Sequence, residues 1–183
     1  MGRFRTEKDS DYFKVVDDAI NAYTWAAVVK LQEKRIIDDV LGPVGQGKEA
    51  KLVLARRSDG TYAVLKIFYP VPVRFVKSRY SYLLGDPRFR GLKISDQLHL
   101  VETWCRKEFG NLSRAYSAGV RVPRPYGFYR NVLVMQFIGI DRNPAPLLID
   151  VGLENLEDPD YVFYEVLKSL EKTYVLAGLV HGD

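Results

Sequence analysis

Two short apolar runs, AKLVLAR at residues 50–56 and TYAVLKIF at residues 61–68, stand on either side of a turn at Ser58, Asp59 and Gly60. β-branched and apolar residues bounded by an Asp-Gly turn read as a hairpin, and a hairpin commits this part of the chain to an antiparallel sheet. The hairpin also decides how the stretch before it is read. GPVGQGKEAK, residues 42–51, nearly spells a Walker A loop, with Gly42, Gly47 and Lys48, but Glu49 stands where a Ser or Thr hydroxyl would hold magnesium. A Walker A loop must open a helix, whose N-terminal dipole completes the phosphate site, and here a strand follows instead. A glycine-rich loop between antiparallel strands is the other way to lay backbone amides on a triphosphate, and GQGKEA has its G-x-G-x-x-A spacing. That spacing alone is equally compatible with a hairpin carrying a glycine bulge.

Two charged residues sit where apolar ones are expected. Period two in the second strand places Tyr62, Val64, Lys66 and Phe68 on one face, with the lysine mid-strand. Farther on, Val101, Cys105, Glu108, Leu112 and Ala115 recur at helical spacing and put Glu108 inside the buried stripe. A lone buried carboxylate or ammonium is costly, so the economical arrangement pairs Lys66 with Glu108 and turns the ammonium toward an anion such as a nucleotide phosphate. The alternatives are a purely structural ion pair, or a helix rotated so that Glu108 meets water.

The rest of the chain supplies the frame. Residues 11–34 have helical periodicity; Ser95 is placed to cap a long helix running to about Ala118, with Gly119 as its stop; PYGFY and VLVMQFI read as strands joined through Arg130 and Asn131. Asp158 caps a last helix with Pro159 at its first position, Phe163, Val166, Leu167, Leu170, Tyr174 and Ala177 as its buried stripe, and Gly178 at its end. One cysteine and two histidines among 183 residues exclude a disulfide framework and argue against a zinc site. No apolar run reaches membrane-helix length and the N-terminus has no apolar leader, which points to a cytoplasmic protein. The net charge of +4 is concentrated: residues 74–93 hold six basic residues against one acid, interleaved with tyrosines and Phe89, which suits RNA or a solvated loop.

In order along residues 40–183, GQGKEA, AVLKIF, GDPRF, WCRKEFGNLSRAYSAGVRVPRPY, VLVMQFIG, NPAP and LVHGD resemble the RIO family of atypical serine/threonine protein kinases, in its first branch. The departures are Gly45 and Gln46 where Ser-Thr is usual, Lys51 for Asn, and Gln136 for an acidic hinge residue. The resemblance implies an α+β fold: a kinase-like N-lobe of antiparallel sheet and long Glu-bearing helix over residues 41–139, preceded by a helical segment (1–40) and followed by the hinge exit and the beginning of a helical C-lobe (140–183). It implies ATP held by amides around Gly45, Gln46, Gly47 and Lys48, by Lys66 braced on Glu108, and between apolar walls that include Val53 and Met135. Backbone groups of Gln136 and Ile138 would meet the adenine edge, and Asp183 would be the catalytic aspartate that orients the attacking hydroxyl. The family's Mg2+ ligands, an Asn after that aspartate and a later Asp, have no counterpart here, so this polypeptide alone is expected to show negligible kinase activity and little metal dependence in nucleotide binding. The implied role is as a kinase or ATPase in maturation of the small ribosomal subunit, with the pre-ribosomal particle or its RNA as partner, a protein substrate possible, and no membrane. The competing reading is a nucleotide- or RNA-binding scaffold without turnover.

Overall fold

The computed structural model describes residues 22–47, 49–69, 83, 85–89 and 97–181. Residues 11–21 of the first expected helix, the Ser95 cap, Lys48, Asp183 and most of the basic segment 74–93 lie outside the described residues. Helix α1 (Ala22–Glu33) precedes strands β1 (Asp39–Gln46), β2 (Ala50–Arg56) and β3 (Tyr62–Phe68). A single 3-10 turn (Pro87–Phe89) leads to the long helix α2 (Gln97–Ser117), followed by β4 (Pro125–Tyr129) and β5 (Val132–Gln136). Then come a two-residue ladder of β6 (Gly139–Ile140) and β7 (Asn143–Pro144), the short helix α3 (Leu148–Val151), a 3-10 turn (Leu153–Asn155) and helix α4 (Pro159–Val175). The strands β1 to β5 form one antiparallel sheet in the order β1-β2-β3-β5-β4. This is the α+β architecture expected of a kinase N-lobe.

The sheet is covered on both faces. Ala27, Val28 and Leu31 of α1 pack on one side against Val53, Ala55, Ala63, Leu65, Ile67, Val132 and Val134. Leu100, Val101 and Cys105 of α2 pack on the other with Ala50, Phe68 and Leu133, and Leu112, Phe109 and Phe128 close the margin. The two periodicities drive this: each strand sends alternate residues to opposite faces, and each helix contributes one stripe.

Helix ends follow local chemistry. Gly119 has φ +72°, the Val120 N–H reaches the Ala115 carbonyl at 3.1 Å, and both flanking apolar side chains are buried, a Schellman stop for α2. The same device ends α1, with the Ile36 N–H on the Leu31 carbonyl at 3.0 Å, but there a non-glycine, Arg35, takes the left-handed position at φ +56°. The Asp158 carboxylate accepts from the Tyr161 N–H at 2.9 Å with Pro159 behind it, as the α4 cap should.

Two expectations need correcting. The glycine-rich stretch is not a free loop: residues through Gln46 belong to β1, an edge strand where Pro43 is tolerated, and register shifts at Val40/Gly42 and Pro43/Gly45 bend it over β2. The α4 stripe is not buried, since Phe163 is 64% and Tyr174 68% exposed and only Ala177, just past the helix, is covered. Among the described residues α4 touches the rest of the chain along one margin, through Arg121 to Glu165 at 3.3 Å and the Lys172 ammonium to the Gly119 carbonyl at 3.1 Å, and no layer covers its other faces.

Candidate nucleotide site

Register fixes which side chains share the face of Lys66. In β2 and β3 Leu52 lies opposite Lys66 and Leu54 opposite Val64; in β3 and β5 Leu133 lies opposite Lys66 and Met135 opposite Val64. Directly paired residues of an antiparallel ladder project to the same side. Leu52, Leu54, Val64, Lys66, Leu133 and Met135 therefore form one surface, and Gly45, which pairs with Leu52, extends it into the glycine hairpin.

Helix α2 crosses this surface and delivers Glu108. The Lys66 ammonium donates to Glu108 Oε1 at 2.5 Å, with the two side chains 24% and 31% exposed, and it stands 5.0 Å from the centre of the Phe68 ring. The pair is thus partly sheltered but reachable from solvent, and the ammonium keeps donors for a second anion. Cys105, one turn earlier on α2, is fully buried; burial, and then the nearby Glu108 carboxylate, pushes its thiol pKa well above the ordinary range, so it stays neutral.

The hairpin that would cover phosphates closes tightly, the Gly47 N–H meeting the Ala50 carbonyl at 2.9 Å. A Cβ added at Gly45 would meet Leu52 Cδ1 at 3.5 Å and one at Gly47 the Ala50 carbonyl oxygen at 3.7 Å, ordinary contacts, so neither glycine is there to avoid a clash within the chain. What their bareness leaves open is the approach of an outside group to the strand backbone.

At the other end of the surface Met135 is half-buried beside Val64. Beyond it Gln136 is engaged with β4: its N–H donates to the Arg124 carbonyl at 2.8 Å and its Oε1 accepts from the Arg124 N–H at 3.2 Å. Ile138 is exposed just past the strand, its carbonyl held by the Ala145 N–H at 3.0 Å. Two of the backbone groups expected to face adenine are therefore committed within the chain.

Val53 does not belong to this surface. It pairs with Leu65, is fully buried, and packs in the cluster under α1, on the opposite face of the sheet. The apolar walls beside Lys66 are Leu52, Leu54 and Val64; period two along β3 already sets Val64 on the face of Lys66, and the hairpin register adds Leu52 and Leu54.

A second polar cluster anchors the far half of α2. Asp86 accepts from the Arg88 backbone N–H and Nε, both at 3.0 Å, and from its terminal nitrogen at 2.6 Å, while Lys107 lies at 3.6 Å and Arg88 also reaches Asn111 at 2.6 Å. The Arg88 hydrogen bonds hold the Asp86 carboxyl down at about 2. Among the described residues no three His, Cys, Asp or Glu side chains gather as metal ligands would, and no helix is long and apolar enough to cross a membrane.

Comparison with known proteins agrees with this arrangement. The family model described as RIO domain matches residues 52–183. The RIO-type serine/threonine-protein kinase Rio1 of Haloferax volcanii is 40% identical over 176 residues, covering 96% of this chain and 59% of that protein. The human serine/threonine-protein kinase RIO1 is 32% identical over 186 residues, covering 97% of this chain and 32% of the relative, so the chain spans about a third to three fifths of these proteins. Among solved structures, the Rio2 kinase–ADP/Mg2+–phosphoaspartate complex from Chaetomium thermophilum superposes with a TM-score of 0.59 over 80% of this chain and 40% of that one; at 19% identity the likeness is one of fold. By the matched domain and the identity to Rio1 proteins, this chain belongs to the RIO kinase family, in its Rio1 branch.

Proposed function

We propose that this chain carries the ATP-holding half of a RIO-type serine/threonine protein kinase or ATPase. The observation that carries the reading is the 2.5 Å Lys66–Glu108 pair on a surface shared with Leu52, Val64 and Met135. The residues suit the nucleotide: the apolar side chains receive the adenine, the solvent-reachable ammonium receives the inner phosphates, and Glu108 holds that ammonium in place. Gly45 and Gln46 of the edge strand, with Gly47 and Lys48 after them in sequence, are assigned to the triphosphate, and the N–H of Ile138, past the end of β5, is the hinge donor for the adenine edge.

Asp183, matched to the family's catalytic aspartate, orients the incoming hydroxyl. In the transfer its oxygen bonds the γ-phosphorus, the bond to the β–γ bridging oxygen breaks, the hydroxyl proton passes to the carboxylate and ADP leaves. The ADP and Mg2+ named for the Rio2 complex support the use of both by the whole protein. Among the described residues no three His, Cys, Asp or Glu side chains gather to hold Mg2+. A place in small-ribosomal-subunit maturation, with pre-ribosomal RNA or protein as partner and a cytoplasmic setting, is the role that the family resemblance supports.

Calorimetric titration of the chain with ATP tests the reading. Binding is expected with or without magnesium, and Lys66→Ala should weaken it by about tenfold or more, the size of one lost hydrogen bond between charged groups. Binding that disappears without magnesium, or that ignores Lys66, would place the nucleotide elsewhere.

A further inference from the structure

Helix α1 precedes the segment matched by the family model, which begins at residue 52, and it lies on the face of the sheet away from Lys66. Tyr23 nevertheless reaches the Glu-bearing helix. The Tyr23 hydroxyl donates to Glu102 Oε1 on α2, the helix that lies across the other face. Tyr23 and Thr24 are also tied to the strand ends: the Arg130 guanidinium stands 4.6 Å from the Tyr23 ring centre and donates to the Tyr23 carbonyl at 3.4 Å. Asn131 Nδ2 donates to Thr24 Oγ1 at 2.9 Å and to the Phe68 carbonyl at 3.1 Å, and the Phe68 N–H returns to the Asn131 carbonyl at 2.9 Å. Phe68 is the residue whose ring lies beneath the Lys66 ammonium.

Helix α2 rests on the sheet through an apolar stripe, and apolar contact is non-directional: it holds a helix down without fixing how far it slides or turns. Directional contacts decide that. Among the described residues these include Tyr23 with Glu102 in the N-terminal half of α2, Asp86 with Lys107 at its middle and Arg88 with Asn111 beyond it. Glu108 lies between Glu102 and Asn111, about 9 Å along the axis from Glu102.

We propose that Tyr23 is a positioning residue, whose hydrogen bond to Glu102 sets the rotation and height of α2 so that Glu108 stays on Lys66. Helix α1 is then part of the nucleotide site without touching it, and whatever releases Tyr23 loosens the ion pair. This rests on Lys66–Glu108 being the phosphate anchor, and both readouts of the test are taken without nucleotide, so failure of the ATP reading leaves them interpretable.

Cys105 is the chain's one cysteine, fully buried on α2 between Glu102 and Glu108, and its labelling by an aromatic disulfide reagent reports release of that helix. Tyr23→Phe is expected to speed labelling about tenfold, as for loss of one hydrogen bond to a charged group, beyond any change in the global unfolding constant measured by urea titration. Glu102→Ala should match it, and Glu102→Gln, which keeps an acceptor, should stay within about twofold of the parent. In protein labelled with 15N-lysine, the Lys66 ammonium resonance, identified by its loss in Lys66→Met, should move in Tyr23→Phe and Glu102→Ala and hold in Glu102→Gln. Labelling that rises only in proportion to global unfolding, or a Lys66 resonance that stays put while labelling rises, would overturn the proposal.

Discussion

Lys66 is spared the usual cost of a mid-strand lysine because its partner arrives from a different element and both remain in reach of water. With the two side chains 24% and 31% exposed, the pair contributes little to stability, and Glu108→Gln should cost no more than about 1 kcal/mol in urea unfolding while weakening ATP binding several-fold. Val53 and Leu52, neighbours in sequence, should separate the two properties. Val53→Ala removes methyls from the fully buried face and should cost about 2 kcal/mol with ATP affinity unchanged; Leu52→Ala should weaken ATP binding at a smaller cost in stability. Reversal of that pattern would show that the register assignment of the site is wrong. Asp86 gives a pH signature. Its folded carboxyl is held at about 2 against an unfolded value near 4. The stability it contributes is therefore complete above about pH 4 and is lost as pH falls toward 2. Parent and Asp86→Asn unfolding curves should differ above pH 5 and converge near pH 2.

At the scale of elements, the strands β2 and β4 were legible to the residue, because hairpin turns and period-two patterns are local. The Glu108 stripe and the α4 cap were legible for the same reason: one helix's own spacing and its own N-terminal residues encode them. What sequence periodicity could not decide was the face given to each side of β2, since both are apolar and a strand covered on both faces shows no alternation; hence Val53 was placed in the site and Leu52 was not. The β1 glycines misled similarly, as composition marks them as a loop while edge pairing and bulges make them strand. Because Gly45 shares the face of Leu52 and Lys66 and has room for a Cβ, Gly45→Ala should leave the melting temperature nearly unchanged and reduce ATP affinity. Asp158→Ala should remove the α4 cap, costing about 1 kcal/mol of helix stability and visible as lost helical ellipticity.

Across the described residues, a sheet clad by α1 and α2 forms the body, and its chemistry is gathered along one seam, where β1 to β3, β5 and α2 meet. Helix α4 leaves that body with its aromatic and aliphatic side chains in water. The central claim is that ATP enters the seam on the face of Lys66. An amide and lysine-ammonium NMR titration with ATP tests it residue by residue. The account predicts saturable shifts at Gly45, Gln46, Gly47, Leu52, Lys66 and Ile138 with Val53 and the α1 residues Val28 and Leu31 unmoved; shifts centred on the α1 face of the sheet or along α4, with the Lys66 ammonium unchanged, would contradict it.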